Sequence, residues 1–413
     1  MTSAYDVVVV GGRVAGASTA LLLARAGVHV ALLERSRLGS DTVSTHGLMR
    51  AGVLQLSRWG LLDDVIRAGT PPVRRTVFSY ADGDRVQVSI QPKAGVDALY
   101  APRRNLLDRL LVEAAADAGV DVWHGATVSS LIDGPGRRVG GVSTRSARGA
   151  EVTLNATTTV GADGIRSTVA QHVGAPVLTA GRTASAVLYR YVHDLPAAGY
   201  EWAYGVGAAA GLIPTNDAAT CVFAATTPAR MRRLRRSGSA ESAFSTLLAA
   251  AAPAFVDRVR AAESASPLRG WAGLPGHVRQ AWGPGWALVG DAGYFKDPIT
   301  AHGMTDALRD AELLADQLID VLGGRVPEAL GLAGYQQTRD RLSAHLVAAT
   351  EEVAAYDWDA HRARALVRRV SSAMSDEVDH LQSLPARPAS RLSPAVVPDR
   401  TERHRYDGAV PKG

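Results

Sequence analysis

Residues 6 to 10, Asp-Val-Val-Val-Val, form a short β-branched apolar run that ends abruptly at Gly11-Gly12, the pattern of a parallel strand buried on both faces. A helix is predicted next. Ala17 to Ala26 is rich in alanine and leucine and stops at Gly27, and Val28 to Leu33 then reads as a second strand ending in Glu34. These pieces make a βαβ unit. Asn105 to Ala118 has amphipathic helical spacing, closes at Gly119 and leads into Val120-Asp121-Val122-Trp123, which repeats the helix-to-strand alternation of a doubly wound sheet.

Between these pieces the periodicity changes. Arg75 to Ile90 alternates around Ala81-Asp82-Gly83-Asp84, a hairpin signature, and longer strands are predicted at Thr183 to Val192 and Tyr200 to Thr226. Residues 229 to 263 read as helical, Gly285 to Gly290 as a buried strand, Thr305 to Leu322 as a strongly periodic helix, and 336 to 383 as a further helical stretch. An antiparallel sheet therefore interrupts a nucleotide-binding fold. The fold class expected is α/β, a discontinuous Rossmann-like domain with an inserted antiparallel β-sheet domain and a C-terminal helical region. The division expected assigns 1–72, 96–178 and 272–345 to the nucleotide domain. The hairpin 73–95 and residues 179–271 go to the inserted sheet, and 346–383 to C-terminal helices. Residues 384–413, with five prolines from Pro385 onward and few apolar residues, are expected to be a mobile tail.

At 413 residues, a prior of roughly 150 residues per domain gives two or three domains. Hydrophobic residues at 46% and charged residues at 21% exclude wholesale disorder and fibrous repeats. The single Cys221 excludes an internal disulfide framework, and no apolar run approaches the ~18 residues of a membrane span. The start, Met-Thr-Ser-Ala-Tyr-Asp, has no charged leader, so a soluble, cytoplasmic setting is expected. Arginine carries the net charge of +5, because Lys93, Lys296 and Lys412 are the lysines of the chain. The cluster Arg232, Arg233, Arg235 and Arg236 has no aromatic platform or nucleic-acid motif beside it and reads as a solvated helix face.

Three motifs carry chemistry. Gly11-Gly12-Arg13-Val14-Ala15-Gly16 follows a strand and opens a helix, with Glu34 about 20 residues on, where an acid binds ribose hydroxyls. Arg13 stands where a second glycine usually lets the backbone approach phosphate. The second motif is Val160-Gly161-Ala162-Asp163-Gly164-Ile165-Arg166-Ser167. The third is Gly290-Asp291-Ala292, continuing through Asp297-Pro298-Ile299-Thr300-Ala301-His302-Gly303-Met304. Gly205 to Gly211 superficially suggests another nucleotide loop, but it lies within an antiparallel pattern and lacks a following helix, so no separate nicotinamide domain is visible.

With these motifs in this order, residues 5 to 340 resemble the flavoprotein monooxygenases of the para-hydroxybenzoate hydroxylase type, together with the related flavin-dependent halogenases and geranylgeranyl reductases. The resemblance implies FAD as cofactor. It places Gly11, Val14, Ala15, Gly16, Glu34 and Arg35 at the adenosine half, and Arg104 against the cofactor. Asp163 falls in the motif that stabilises the FAD site, and Asp291 against the ribityl chain. Pro298, Gly303 and Met304 lie where the start of the Thr305 helix faces the flavin pyrimidine, so that its dipole and free N–H groups stabilise negative charge. Ala301-His302-Gly303 departs from the usual Gly-Gln-Gly. Arg50 is a further candidate for FAD contact, set against a helix-surface role.

His46 and His302 are candidates to move protons at the reacting face, because imidazole titrates near neutrality. The alternative for each is a structural hydrogen bond. Lys296 is a candidate near the isoalloxazine, set against a surface ion pair with Asp297. Tyr189 with Tyr191, and Trp202 with Tyr204, alternate onto one strand face each and are candidates to line an apolar or aromatic substrate pocket.

The activity implied is NADPH- or NADH-dependent monooxygenation of a small organic substrate by oxygen, through a flavin C4a-hydroperoxide, as hydroxylase or epoxidase, with secondary metabolism as a candidate setting. A halogenase is the second reading, on Phe295-Lys296-Asp297-Pro298. Against it, no Trp-x-Trp-x-Ile-Pro stretch occurs and Pro71 to Tyr80 contains no lysine. A reductase and a flavin-retaining binding protein are the third and fourth. No metal, nucleic-acid or membrane partner is expected, and oligomeric state stays open.

Overall fold

The computed structural model describes residues 2–44, 46–146 and 149–384, so the expected mobile tail lies outside the described residues apart from Leu384. One sheet runs in the order Trp282–Gly283, Trp286–Leu288, Glu151–Gly161, Thr2–Val10, Val30–Glu34, Asp121–His124. Its centre is parallel: Val7 lies opposite both Val30 and Thr158. The valine run does not alternate because both its faces are covered. Val7 and Val9 enter a core with Leu21, Leu107 and Leu308 from the helices Val14–Arg25, Arg104–Asp117 and Gly303–Leu322. Val8 and Val10 enter another with Val142 and Leu154, from the antiparallel strands Val139–Arg145 and Glu151–Gly161.

The second sheet is mostly antiparallel. Its main path runs Glu263–Ser264, Ala186–His193, Thr220–Thr226, Ala208–Pro214, Tyr200–Gly205, Arg75–Tyr80, Arg85–Ser89, and Arg269–Trp271 also pairs with Ala186–His193. Alternation sorts its side chains. Leu188, Ala203 and Val222 pack under the helices Pro228–Ser237, Ala240–Ala251 and Pro253–Ala261, while Tyr189, Tyr191, Trp202 and Phe223 form the opposite face. That aromatic face shares a buried cluster with Ile299 and Ala301, so the inserted sheet roofs the turn ahead of helix Gly303–Leu322. Gly205 to Gly211 is the hairpin between two of its strands.

The segment 336–383 is not one helix. It falls within two, Glu328–Val353 and Ala360–Ser383, separated by a turn in which Tyr356 has a positive φ of 55°. The second of these straps the roof sheet to helix Arg50–Arg58. Arg364 pairs with Asp82 and Asp84 on the hairpin turn, each at 2.8 Å, and Arg58 reaches the Leu381 carbonyl at 3.2 Å. Arg232, Arg233, Arg235 and Arg236 lie exposed on their helix. No described helix is long and apolar enough to cross a membrane.

Candidate active site

The nucleotide turn is packed too tightly for side chains. Gly11 has φ +106°, and a Cβ there would lie 2.4 Å from the Ala162 carbonyl oxygen; one on Gly16 would lie 1.8 Å from the Gly11 oxygen. Glu34 is held by two backbone donors, Gly12 N–H to Oε2 and Ser36 N–H to Oε1, both at 2.7 Å. Each oxygen retains a lone pair for a ribose hydroxyl. Arg35 is exposed beside it. Val14 and Ala15 are buried in the first turn of a helix that has no side-chain cap and no acidic residue there, so its N–H groups and dipole remain available to a diphosphate.

Arg13 answers the missing glycine with its side chain, which runs to the Ser40 carbonyl at 2.6 Å and to Asp108 at 2.8 Å. Arg104 grips the same carboxylate at 3.1 Å. Two guanidinium groups on one acid leave surplus positive charge beside the turn, which suits a diphosphate.

Asp163 is placed differently from a cofactor ligand. Its carboxylate accepts from the Ser167 hydroxyl and from the N–H groups of Thr168 and Val169, at 2.6 and 3.2 Å for the two amides, and so caps the short helix Thr168–His172. Its motif still shapes the site, since Ala162 and Asp163 form the wall against which Gly11 turns. Gly290 packs similarly against Ala15.

Asp291 is exposed by surface area and yet lies deep among protein atoms, so it faces an interior void. Burial pushes its carboxyl up to about 6 against the pull of Lys296 and Arg104, and it makes no side-chain hydrogen bond or ion pair among the described residues. A carboxylate in such a place suits sugar hydroxyls. With the glycine cradle and the open helix start, the residues present fit FAD.

The turn Pro298–Thr300 is capped by Asp297, whose side chain accepts from Ile299 N–H at 3.0 Å, and Ala301 follows in the left-handed region at φ +50°. This delivers the helix from Gly303, two residues before the start expected. A Cβ on Gly303 would meet nothing within 4 Å, so the helix start opens onto free space, while Met304 behind it is buried. His46 stands close by, because a Cβ on the adjacent Gly47 would lie 3.3 Å from Ala301 Cβ. His46 itself is strained at φ +65° and 1% exposed. Its Nε2 bonds the Tyr191 hydroxyl, and its Nδ1 is buried without a partner. Burial, with Arg103 and Arg104 nearby, pushes the imidazole down to about 3, so it is neutral.

Lys296 corrects the sequence reading. It is buried and pairs with Asp306 rather than with Asp297 at the surface, and burial, with Arg309, pushes its ammonium down to about 7. His302 Nε2 lies 2.6 Å from Glu377 Oε2; Arg309 spans Glu377 at 2.8 Å, Asp306 at 3.1 Å and Asp310 at 2.8 Å. His302, Asp306 and Glu377 bring possible metal-ligand atoms within 4.8 Å of one another, but Lys296 and Arg309 already neutralise those carboxylates. Arg50 is committed elsewhere: its guanidinium donates to the carbonyls of Val96 at 2.8 Å and Gln91 at 2.7 Å, which ties down the loop after the hairpin.

Tyr189, Tyr191, Trp202 and the half-buried Tyr204 all belong to the aromatic face of the roof. Sequence reasoning missed Asp108, Arg103, Asp41, Arg269 and Glu377. For Arg103 the adjacency to Arg104 was a usable signal; the others offered none, since each is a lone charge whose partner is remote in sequence.

Fold and site together define a dinucleotide-cofactor oxidoreductase of the flavoprotein kind. Residues 4–350 match the model of the FAD binding domain family, and the chain belongs to it. It is similar to a tryptophan 2-halogenase of Chondromyces crocatus, 26% identical over 351 residues, covering 82% of this chain and 65% of that protein. A kynurenine 3-monooxygenase of Salinispora arenicola is 36% identical over 179 residues, or 40% of this chain and 37% of its own. Among solved structures, PqsL of Pseudomonas aeruginosa in complex with 2-aminobenzoylacetate superposes with a TM-score of 0.75 at 22% identity, over 90% of this chain and 100% of that one. The chain is thus an enzyme of a group that holds monooxygenases, halogenases and reductases.

Proposed function

We propose that the protein is a NADPH- or NADH-using monooxygenase that hydroxylates or epoxidises a small apolar or aromatic molecule. The observation that carries this reading is the buried aromatic face of Tyr189, Tyr191 and Trp202 turned toward Ile299 and Ala301, directly ahead of the open start of helix Gly303–Leu322. FAD bound there supplies the redox chemistry and the activation of oxygen. The chain's own residues bind, orient and exclude water. Glu34 and Asp291 hold sugar hydroxyls, the helix start at Val14 holds diphosphate with Arg104 nearby, and the helix start at Gly303 favours negative charge on the ring that faces it. His46, neutral and with a free Nδ1, holds or moves a proton at that atom.

The purified protein is expected to be yellow and to consume NAD(P)H and oxygen in proportion to an oxygenated product. Halide-dependent product mass makes it a halogenase instead, and turnover without oxygen makes it a reductase. Against halogenation, the two described lysines are both engaged, Lys93 with Asp379 at 2.5 Å on the surface and Lys296 with Asp306.

A further inference from the structure

A cavity of roughly 370 Å³ opens beside the roof sheet, and none of the residues assigned above to FAD lines it. Arg103, Arg269, Tyr191, Ser266 and Asp217 are among its walls. The two guanidinium groups arrive from different elements, one just ahead of helix Arg104–Asp117 and the other on the edge strand Arg269–Trp271. Both converge on one carboxylate, Asp41, at 3.5 and 2.6 Å. Burial pushes that carboxyl up, but the bonds from Arg269 and Thr42 N–H outweigh it and hold it below the usual range, so Asp41 is ionised. Two cations on one anion leave a net positive charge at the Asp41 end of the cavity, which Asp217 offsets only at the exposed rim.

Arg103 also has capacity to spare. Its Nε is buried without a partner, and its guanidinium carbon lies 3.8 Å from the Tyr191 ring centroid, which fixes the group in place. Tyr191 connects the cavity to the open helix start, because its hydroxyl bonds His46, whose neighbour Gly47 abuts Ala301.

We propose that this cavity binds a carboxylate carried by the substrate, through Arg103 and Arg269, with the remainder of the molecule reaching past Tyr191 toward His46. This rests on the reading that the aromatic face of the roof encloses the substrate. The planar fork of arginine matches a carboxylate bidentately, and the volume is that of a small-ligand site. Asp217 stands at the exposed rim, on a turn with φ +63°. Its charge penalises a dianion more than a monoanion, which favours a carboxylate over a nucleotide phosphate.

The test uses the flavin-loaded protein and measures binding, by calorimetry and by the change in flavin fluorescence. The probes are benzoate, phenylacetate and indole-3-acetate, each beside its neutral amide. At least one acid is expected to bind about tenfold or more tightly than its amide. Arg103→Gln and Arg269→Gln are each expected to weaken that acid by at least about tenfold, the loss of one hydrogen bond between charged groups. Asp41→Asn, which frees both guanidinium groups, is expected to tighten binding, and this keeps the idea testable if an arginine variant misfolds. Acids that bind no better than amides, or not at all, overturn the proposal. So do a weaker Asp41→Asn, and arginine variants that raise the half-saturating NADPH concentration more than they weaken the acid. Because binding is read without turnover, a positive result stands even where no oxygen is consumed, which separates failure of this site from failure of the monooxygenase reading.

Discussion

His302 Nε2 lies 2.6 Å from Glu377 Oε2, so the C-terminal helix is tied to the residue immediately ahead of helix Gly303–Leu322. Burial pushes the Glu377 carboxyl up, but His302 and Arg309 outweigh it and bring it down to about 2. Glu377 is therefore ionised at neutral pH, and its second oxygen takes the Arg309 guanidinium at 2.8 Å. Removing it takes one of three carboxylates from Arg309, which keeps Asp306 and Asp310, and leaves the buried His302 Nε2 without its closest partner. Glu377→Ala is expected to cost about 1–3 kcal/mol of stability, the range for a buried polar group left without its partner, and Glu377→Gln less. Urea unfolding measures this, and a cost below about 1 kcal/mol would show that the pair is dispensable.

Acid should weaken the native state before its carboxylates protonate in bulk. Burial lowers the imidazoles of His46 to about 3 and of His277 to about 4, and lowers that of His302 as well. A depressed imidazole stays neutral in the folded chain while the unfolded chain takes up its proton. Stability is thus full above the ordinary value near 6.5 and declines as pH falls below it. For the fully buried His46 the slope is up to about 1.4 kcal/mol per pH unit; the half-buried His277 contributes less. Asp291 acts in the opposite sense, since a raised carboxyl contributes stability that is lost as pH rises through about 6. The lowered imidazole of His380 adds to the first group, and the raised carboxyls of Asp297 and Asp310 add to the second. His46, buried and shifted furthest of the histidines, carries the test: the melting temperature is expected to drop between pH 6.5 and 4.5, and His46→Gln to flatten the drop. Equal slopes for the two proteins would remove His46 from the account.

Two glycines of similar standing in the sequence should respond oppositely to a methyl group. At Gly16 a Cβ would overlap the Gly11 oxygen at 1.8 Å, so Gly16→Ala must displace the turn and is expected to lose both FAD and stability, by at least about 1–3 kcal/mol. At Gly303 a Cβ meets nothing within 4 Å. Gly303→Ala is expected to leave the melting temperature of the flavin-free protein within about 2 °C of wild type while shifting the visible spectrum or lowering the retention of flavin. If both properties are unchanged, the open space at Gly303 does not receive the ring.

That contrast also marks what a reader of the sequence can see. The valine run, the glycine turn and Glu34 were legible because strand, turn and helix follow one another locally, and each residue type is dictated by backbone geometry. The aromatic face of Tyr189, Tyr191 and Trp202 was legible because alternation alone puts them on one side of the sheet. Lys296 was misread. Its neighbour Asp297 offered a pair in sequence, whereas the true partner, Asp306, becomes available only when the turn at Ala301 folds the chain back. Glu377 was invisible for a similar reason: on an amphipathic helix rich in arginine, with Asp376 and Asp379 close by, one buried acid has the same local signature as a solvated one. The convergence of Arg103 and Arg269 on Asp41 spans 228 residues and has no periodic trace at all.

Asp291 gives a direct test of the cofactor site. Its carboxyl is raised to about 6 by burial, and no described side chain bonds it, so it crosses from neutral to ionised just below physiological pH. An ionised carboxylate accepts sugar hydroxyls through charge-assisted bonds, while a protonated one accepts them weakly. FAD affinity is therefore expected to rise as pH increases through about 6. Asp291→Asn should abolish that step and bind FAD about tenfold or more weakly at pH 8, the loss of one hydrogen bond to a charged group. Fluorescence titration of the flavin-free protein from pH 5 to 8 measures both quantities. Equal affinity of the two proteins at pH 8 would mean that Asp291 faces some other part of the void.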